Sequence, residues 1–258
     1  MFIEAFDVLI PKACIICAKR LGRSDVCPGC LPINRSLNTS TCIHCHSTTL
    51  ESDFQCQACQ MFPRIYRRMR YLWNYNSHNT RVFINCMKYK PSIKLAKKSG
   101  ALLALELENL FPGADWDLII PIPSAKQSIK ERLFNQCAYI AEQIKLGSSI
   151  CKRTKLDLLC LKHLGYKCVQ ASLPHSQRFR NVRHSFRASE QAVRGKKILL
   201  IDDVITTGST TTAACLELLN SGAEYVDVAA LARSEIWHEF RARIYFAFNQ
   251  ENVFNGQA

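Results

Sequence analysis

Nowhere in its 258 residues does the sequence hold an uninterrupted apolar run near the roughly 18 residues that a membrane-spanning helix needs. The opening MFIEAFDVLIPKACIIC has no basic stretch ahead of its apolar residues, and Glu4 and Asp7 interrupt them, so it is not expected to act as a secretory signal. Acid is scarce as well: between Asp53 and Glu106 there is none, and across the chain 34 Lys and Arg face 21 Asp and Glu, a formal net charge of +13. Apolar residues make up 48%, which excludes wholesale disorder and a collagen-like fibre. Without an export signal, the 14 cysteines read as thiols in a reducing compartment rather than as a disulfide framework, and a cytoplasmic location is expected.

Eight of those cysteines precede residue 60, all in C-x-x-C pairs: Cys14/Cys17, Cys27/Cys30, Cys42/Cys45 and Cys56/Cys59. The first two pairs are nine residues apart and the last two ten, so one four-thiolate unit is repeated. A C-x-x-C turn lets two sulfurs reach the same ion, and zinc takes four ligands tetrahedrally. Two structural Zn2+ ions are therefore expected, with the first pair joined to the second and the third to the fourth. Interleaved pairing stays open, as does replacement of a thiolate by His44 or His46. A segment this short buries little core, so metal would supply its folding energy. Cys86, Cys137, Cys151, Cys160, Cys168 and Cys215 show no such spacing and read as packing residues.

The acid-free stretch carries ten cations, among them Arg64, Arg67, Arg68 and Arg70, interleaved with Tyr66, Tyr71, Trp73, Tyr75 and Tyr89. Cations that follow phosphates and rings that stack on bases make a single-stranded nucleic-acid groove. The four arginines are the candidate contacts. The competing reading is a solvated basic surface whose aromatics face the core, because YLWNY alternates like a strand. From Asn79 to Ala104 the pattern is mainly helical, broken at Pro91, and the apolar helical face ends at Pro112-Gly113.

Beyond Gly113 the rhythm is that of an α/β domain. DLIIPIP reads as a buried strand and IKERLFNQCAYIAEQIKLG as an amphipathic helix. KKILLIDDVITTGSTTTAACLELLNSGAEYVDVAALA then gives strand, loop, helix, turn and strand, which implies a parallel sheet flanked by helices. ILLIDDVITTGST delivers Asp202 and Asp203 to a strand's C-terminal end, where open α/β sheets bind ligands. The loop Thr206, Thr207, Gly208, Ser209 and Thr210 opens a helix, and its N–H groups and hydroxyls suit a phosphate.

This segment resembles the 13-residue signature of type I phosphoribosyltransferases, which bind 5-phosphoribosyl-1-pyrophosphate (PRPP). The order of motifs along the chain is similar to that of the competence protein F family: four C-x-x-C pairs, MKYK (87–90), PIPSAKQSIKERLFNQ (121–136), Q-x-x-L-x-x-x-x-R-x-x-N-V-x-x-x-F (170–186), then the signature. The resemblance runs from about Cys14 to Arg233. It implies a type I phosphoribosyltransferase-like parallel sheet preceded by a small zinc-ribbon region. Asp202 and Asp203 would hold the ribose hydroxyls as the catalytic pair, and Thr206 to Thr210 the 5-phosphate. Lys88 and Arg132 would neutralise pyrophosphate together with Mg2+. Asn135, Gln136, Gln170, Arg178 and Asn181 carry over with them, and the loop Pro121 to Ser124 would receive pyrophosphate. Where the family usually reads RGFNQ this chain has Leu133 in place of the glycine, and the basic segment between Arg153 and Gln170, with Lys155, Lys162, His163 and Lys167, is elongated.

The expected organisation is a double zinc ribbon over 10–62, a basic aromatic and helical connecting segment over 63–112 packing on the core, the phosphoribosyltransferase-like domain over 113–234, and a tail over 235–258. The implied role is PRPP binding in DNA uptake and natural transformation, handling incoming single strands. Uptake-machinery proteins would then be partners. The other reading is an active phosphoribosyltransferase with an unknown acceptor.

Overall fold

The computed structural model describes residues 13–14, 16–21, 26–32, 41–47, 55–56, 59–60, 65–89, 92–125, 133–165 and 184–234. Among the expected site residues, Arg64, Arg132, Gln170, Arg178 and Asn181 lie outside these, as do Lys167 and the tail 235–258. In chain order the elements are β1 (Met69–Asn74), α1 (His78–Tyr89), α2 (Ile93–Leu110), β2 (Leu118–Pro121), α3 (Gln136–Gly147), β3 (Lys155–Leu156), β4 (Leu161–His163), β5 (Phe186–Ala188), β6 (Lys197–Ile205), α4 (Ser209–Asn220) and β7 (Tyr225–Arg233). No helix of the described residues is long and apolar enough to cross a membrane.

Five strands form one parallel sheet in the order β1-β7-β6-β2-β3, and β4 pairs with β5 antiparallel. The near-continuous apolar runs of β6 and β7 suit strands covered on both faces. Alternation along β6 divides the core in two. Leu199 and Ile201 join Phe83, Leu103 and Ile140 on one face, while Ile198 and Leu200 join Phe186 and Leu218 on the other.

The segment expected as a connecting piece, 63–112, contributes one strand to the sheet. Its YLWNY alternation becomes edge strand β1, in register with β7 from Met69↔Val228 to Asn74↔Arg233. Tyr66, Tyr71 and Trp73 are buried accordingly, whereas Tyr89 is exposed. The helical stretch is divided into α1, ending at Tyr89, and α2, beginning at Ile93, while the break expected at Pro91 lies outside the described residues. Ser92 caps α2 by accepting from the Leu95 N–H.

The chain runs from β2 through α3 to β3 in one direction and from β6 through α4 to β7 in the other. The connections leaving neighbouring strands β2 and β6 therefore depart in opposite directions at the strands' C-terminal ends. A crevice at such a switch point is where open α/β sheets place their ligands.

Candidate functional site

Both carboxylates of the signature sit at that crevice, Asp202 7% and Asp203 8% exposed. The Thr211 hydroxyl donates to Asp202 Oδ2 at 2.7 Å, and the Asp203 N–H donates to Asp202 Oδ1 at 2.8 Å. Lys88, in the last turn of α1, places its ammonium 3.1 Å from Asp203 Oδ1. Burial, then the neighbouring Asp203 charge, push the Asp202 carboxyl up to about 7, against the opposing pull of Thr211 and Lys88. The Cys137 thiol, buried close by, is held protonated by burial and by the charges of Asp203 and Asp202.

The hydroxyl loop follows directly. Gly208, at φ +77°, caps α4 in the left-handed region that a side chain would oppose. Thr207 Oγ1 and Ser209 Oγ lie 2.9 Å apart, and Thr206 and Thr210 are exposed. Small residues, hydroxyls and a helix N-terminus are here in one place, as phosphate binding requires.

Facing them across the crevice, the Pro121–Ser124 segment is held by Asn135. Its Nδ2 donates to the Ile122 carbonyl at 3.0 Å, while its Oδ1 accepts from Ser124 Oγ at 3.2 Å and caps α3 through the Cys137 N–H. Gln136 is 1% exposed, and its Nε2 has no hydrogen-bond partner among the described residues. The missing glycine has a structural counterpart, for Leu133 adopts φ +67°.

Thr211 was not among the residues the sequence singled out. The signature stops at Thr210, and a hydroxyl one residue into the helix reads as a small packing residue. Its position in the TTT run beside an Asp pair was the available signal.

The eight N-terminal thiols form two groups, Cys14/Cys17/Cys27/Cys30 and Cys42/Cys45/Cys56/Cys59, the sulfurs of each within 4.8 Å of one another. This is the sequential pairing. Backbone geometry repeats with the sequence: Cys14 N–H donates to Lys19 O and Cys42 N–H to Ser47 O, both at 2.8 Å. Ala18 and His46, each just past the second thiol of its turn, share the left-handed conformation at φ +59° and +60°. Sulfur pairs at 3.8 Å (Cys17–Cys27) and 3.5 Å (Cys45–Cys56) compare with the edge of about 3.8 Å for a tetrahedron of 2.3 Å Zn–S bonds.

Within the groups Cys14, Cys42 and Cys45 are biased toward ionisation, whereas the neighbouring thiols push Cys30, Cys56 and Cys59 up. Burial opposes ionisation at Cys14, but the N–H groups of Cys27, Cys17 and Ile16 override burial and bring the thiol down to about 6. Hydrogen bonds from Cys42, Cys56 and Cys59, helped by the Arg233 charge, pull Cys45 far below the usual thiol range. The donor set fits two zinc ions. His46 instead packs edge-on against Tyr71, and neither it nor His44 joins a cluster.

The two groups clasp the sheet edge. Cys14 and Cys27 belong to the core beside Leu72 and Trp73, and Cys42, Cys45 and Cys59 to the core beside Met69 and Tyr71. Met69 N–H donates to the His44 carbonyl at 2.6 Å, so the second thiol loop satisfies an exposed edge donor of β1.

Of the expected nucleic-acid arginines, Arg64 lies outside the described residues, and Arg67, Arg68 and Arg70 spend donors internally. Arg67 and Arg68 both pair with Asp227, which is fully buried and also accepts from Trp116 Nε1. Burial would raise the Asp227 carboxyl, but Arg67 and Arg68 hold it below the usual carboxylate range. Arg70 donates to the carbonyls of Leu110, His44, Met69 and Ile43. Within the elongated basic segment, Lys155 lies on β3, while Lys162 and His163 lie on β4, where His163 packs edge-on against Phe186.

Comparison with known proteins agrees with this geometry. The profile of the phosphoribosyl transferase domain family matches residues 169–257. The DNA utilization protein YhgH of Shigella flexneri is 26% identical over 230 residues, covering 87% of this chain and 98% of that protein. Competence protein F of Haemophilus influenzae is 24% identical over 228 residues, covering 86% and 96%. This chain is their homologue. The likeness runs over most of the chain, and the parallel sheet and two four-cysteine groups fit a phosphoribosyltransferase-like fold preceded by a double zinc ribbon. Among solved structures, an adenine phosphoribosyltransferase superposes over 60% of this chain and 78% of its own at 17% identity, with a TM-score of 0.36.

Proposed function

We propose that this chain binds PRPP through Asp202, Asp203, Lys88 and the loop Thr206, Thr207, Gly208, Ser209 and Thr210, and that it acts in DNA uptake by handling incoming single strands. The observation that carries the first half is the Asp202/Asp203 pair at the β2/β6 switch point, with a lysine on one side and a hydroxyl loop on the other. Ribose hydroxyls donate to the carboxylates, and the 5-phosphate takes the hydroxyls and N–H groups of the loop. Lys88 exchanges Asp203 for pyrophosphate, joined by Arg132. Mg2+ carried with the pyrophosphate suits the oxygen donors at this crevice and offsets the charge of the leaving group. The second half is supported by relatives named for DNA utilization and competence. Uptake-machinery proteins are the expected partners, and the grouped thiols favour the reducing cytoplasm.

The test is thermal unfolding with and without PRPP and Mg2+. A ligand that binds only the folded state at 100 times its Kd adds about 2.7 kcal/mol. The shift should vanish in Asp202→Ala/Asp203→Ala, and its persistence there would overturn the site. A second reading, transfer of the ribosyl group to an acceptor, is favoured by Asp202 titrating at about 7, where a proton acceptor works best. Pyrophosphate release in a screen of acceptors decides it.

A further inference from the structure

The end of the sheet opposite the Asp202/Asp203 crevice holds a cleft of about 800 Å³, formed where β2, β3 and β6 begin. Lys152, Arg153 and Lys155 line one bank, and Lys196 and Lys197 the other. Strand β2 lies between the banks, so they stand about two interstrand spacings, or about 10 Å, apart.

Three carboxylates also line the cleft, and each is engaged. Asp115 accepts from Lys197 Nζ at 2.6 Å and from the Tyr225 hydroxyl at 3.0 Å. Asp117 accepts from the Lys197 N–H at 2.8 Å. Asp157 accepts from the N–H groups of Leu159 and Cys160 and lies 3.8 Å from Lys155 Nζ. Lys152, Arg153 and Lys196 are exposed and have no ion-pair partner among the described residues.

We propose that this cleft, and not the Arg67–Arg70 cluster, seats the phosphate backbone of single-stranded nucleic acid. The inference rests on the DNA-handling reading above and gives it a location. Exposed cations on both banks are placed to meet successive phosphates of one strand that lies along the cleft. Among the described residues its one aromatic lining residue, Trp116, is 4% exposed and donates to Asp227, so these residues offer no ring for base stacking. Contact through phosphates alone predicts sequence-independent, salt-sensitive binding.

The experiment is fluorescence anisotropy of the full chain with a labelled single-stranded 20-mer across a salt series, with unlabelled duplex as competitor. Thermal unfolding serves as the check on folding. Three neutralised phosphates contribute about −2 to the slope of log affinity against log salt for a single strand. Lys152→Ala/Arg153→Ala/Lys196→Ala should flatten the slope by about 2 and weaken binding at least tenfold at low salt. Its melting temperature should stay unchanged, because all three side chains are exposed. A wild-type chain that binds while the triple variant binds equally well overturns the cleft and leaves DNA handling standing. Duplex competing as well as single strand overturns the single-strand assignment. No binding by the wild-type chain overturns the cleft and the DNA-handling reading together.

Discussion

Arg233, the last residue of β7, donates through Nη1 to the carbonyl of Cys45 at 2.6 Å and so ties the parallel sheet to the second thiol cluster. Its Nη2 donates to Ser47 Oγ at 2.7 Å, and its guanidinium carbon lies 4.5 Å from the centre of the Tyr71 ring. The same residue pairs with Ile205, immediately before the hydroxyl loop. The second zinc ribbon and the phosphate loop thus share one support.

Replacing that support should therefore act on metal as well as on stability. Arg233→Met leaves the Cys45 carbonyl and Ser47 hydroxyl without the buried fork and is expected to cost about 2–4 kcal/mol. Zinc release, followed with a colorimetric chelator, should become biphasic, with one ion per chain leaving at lower chelator concentration. Simultaneous release of both ions would show that Arg233 does not hold the second cluster.

Titration of Asp202 gives a pH-dependent prediction. Its folded pKa of about 7 lies above the ordinary 3.8, so its contribution is fully present below pH 3.8 and is lost as pH rises toward 7. Asp202→Asn keeps an oxygen for the Thr211 hydroxyl and removes the buried charge. Its stability advantage over the wild-type chain should open between about pH 4 and 7 and level above, at about 4 kcal/mol. Denaturant melts across that range check it. An advantage that is flat with pH would mean that Asp202 titrates normally. The variant should also lose its response to PRPP, separating the gain in stability from the loss of the site.

What could be read from the sequence was local. The thiol repeat is a matter of spacing, and the same spacing reappears as matched hydrogen bonds at Cys14 and Cys42. Asp202, Asp203 and Gly208 lie within one strand–loop–helix unit, so their placement follows from the order of residues. Arg67 and Arg68 are different, because their partner Asp227 lies 160 and 159 residues away. A run of cations announces charge but not the carboxylate that folding brings to it. For the same reason YLWNY showed a strand without showing its place at the sheet edge against β7.

Helix packing beside the site allows a second stability test. A Cβ built on Gly100 of α2 would stand 2.8 Å from both the Cα and the carbonyl oxygen of Ile140 in α3. Alanine improves intrinsic helix propensity by about 1 kcal/mol, yet two backbones cannot yield to it cheaply. Gly100→Ala is expected to destabilise by about 1–3 kcal/mol in denaturant melts. A more stable variant would mean that α2 and α3 have room to part.

Leu133 carries strain at the turn that delivers Asn135. A non-glycine residue in the left-handed region costs about 1–2 kcal/mol, and this side chain, 75% exposed, recovers little by burial. Leu133→Gly relieves the strain but gives the unfolded chain more freedom, worth about 0.5–1 kcal/mol. The net expectation is a gain of about 0.5–1 kcal/mol, or a melting temperature higher by about 1–4 °C. Leu133→Ala is the deciding control, because alanine sits in the same unfavourable region without the exposed apolar side chain. If the backbone is the cause, only the glycine variant gains; if both gain equally, the exposed leucine side chain is responsible and the turn is not strained.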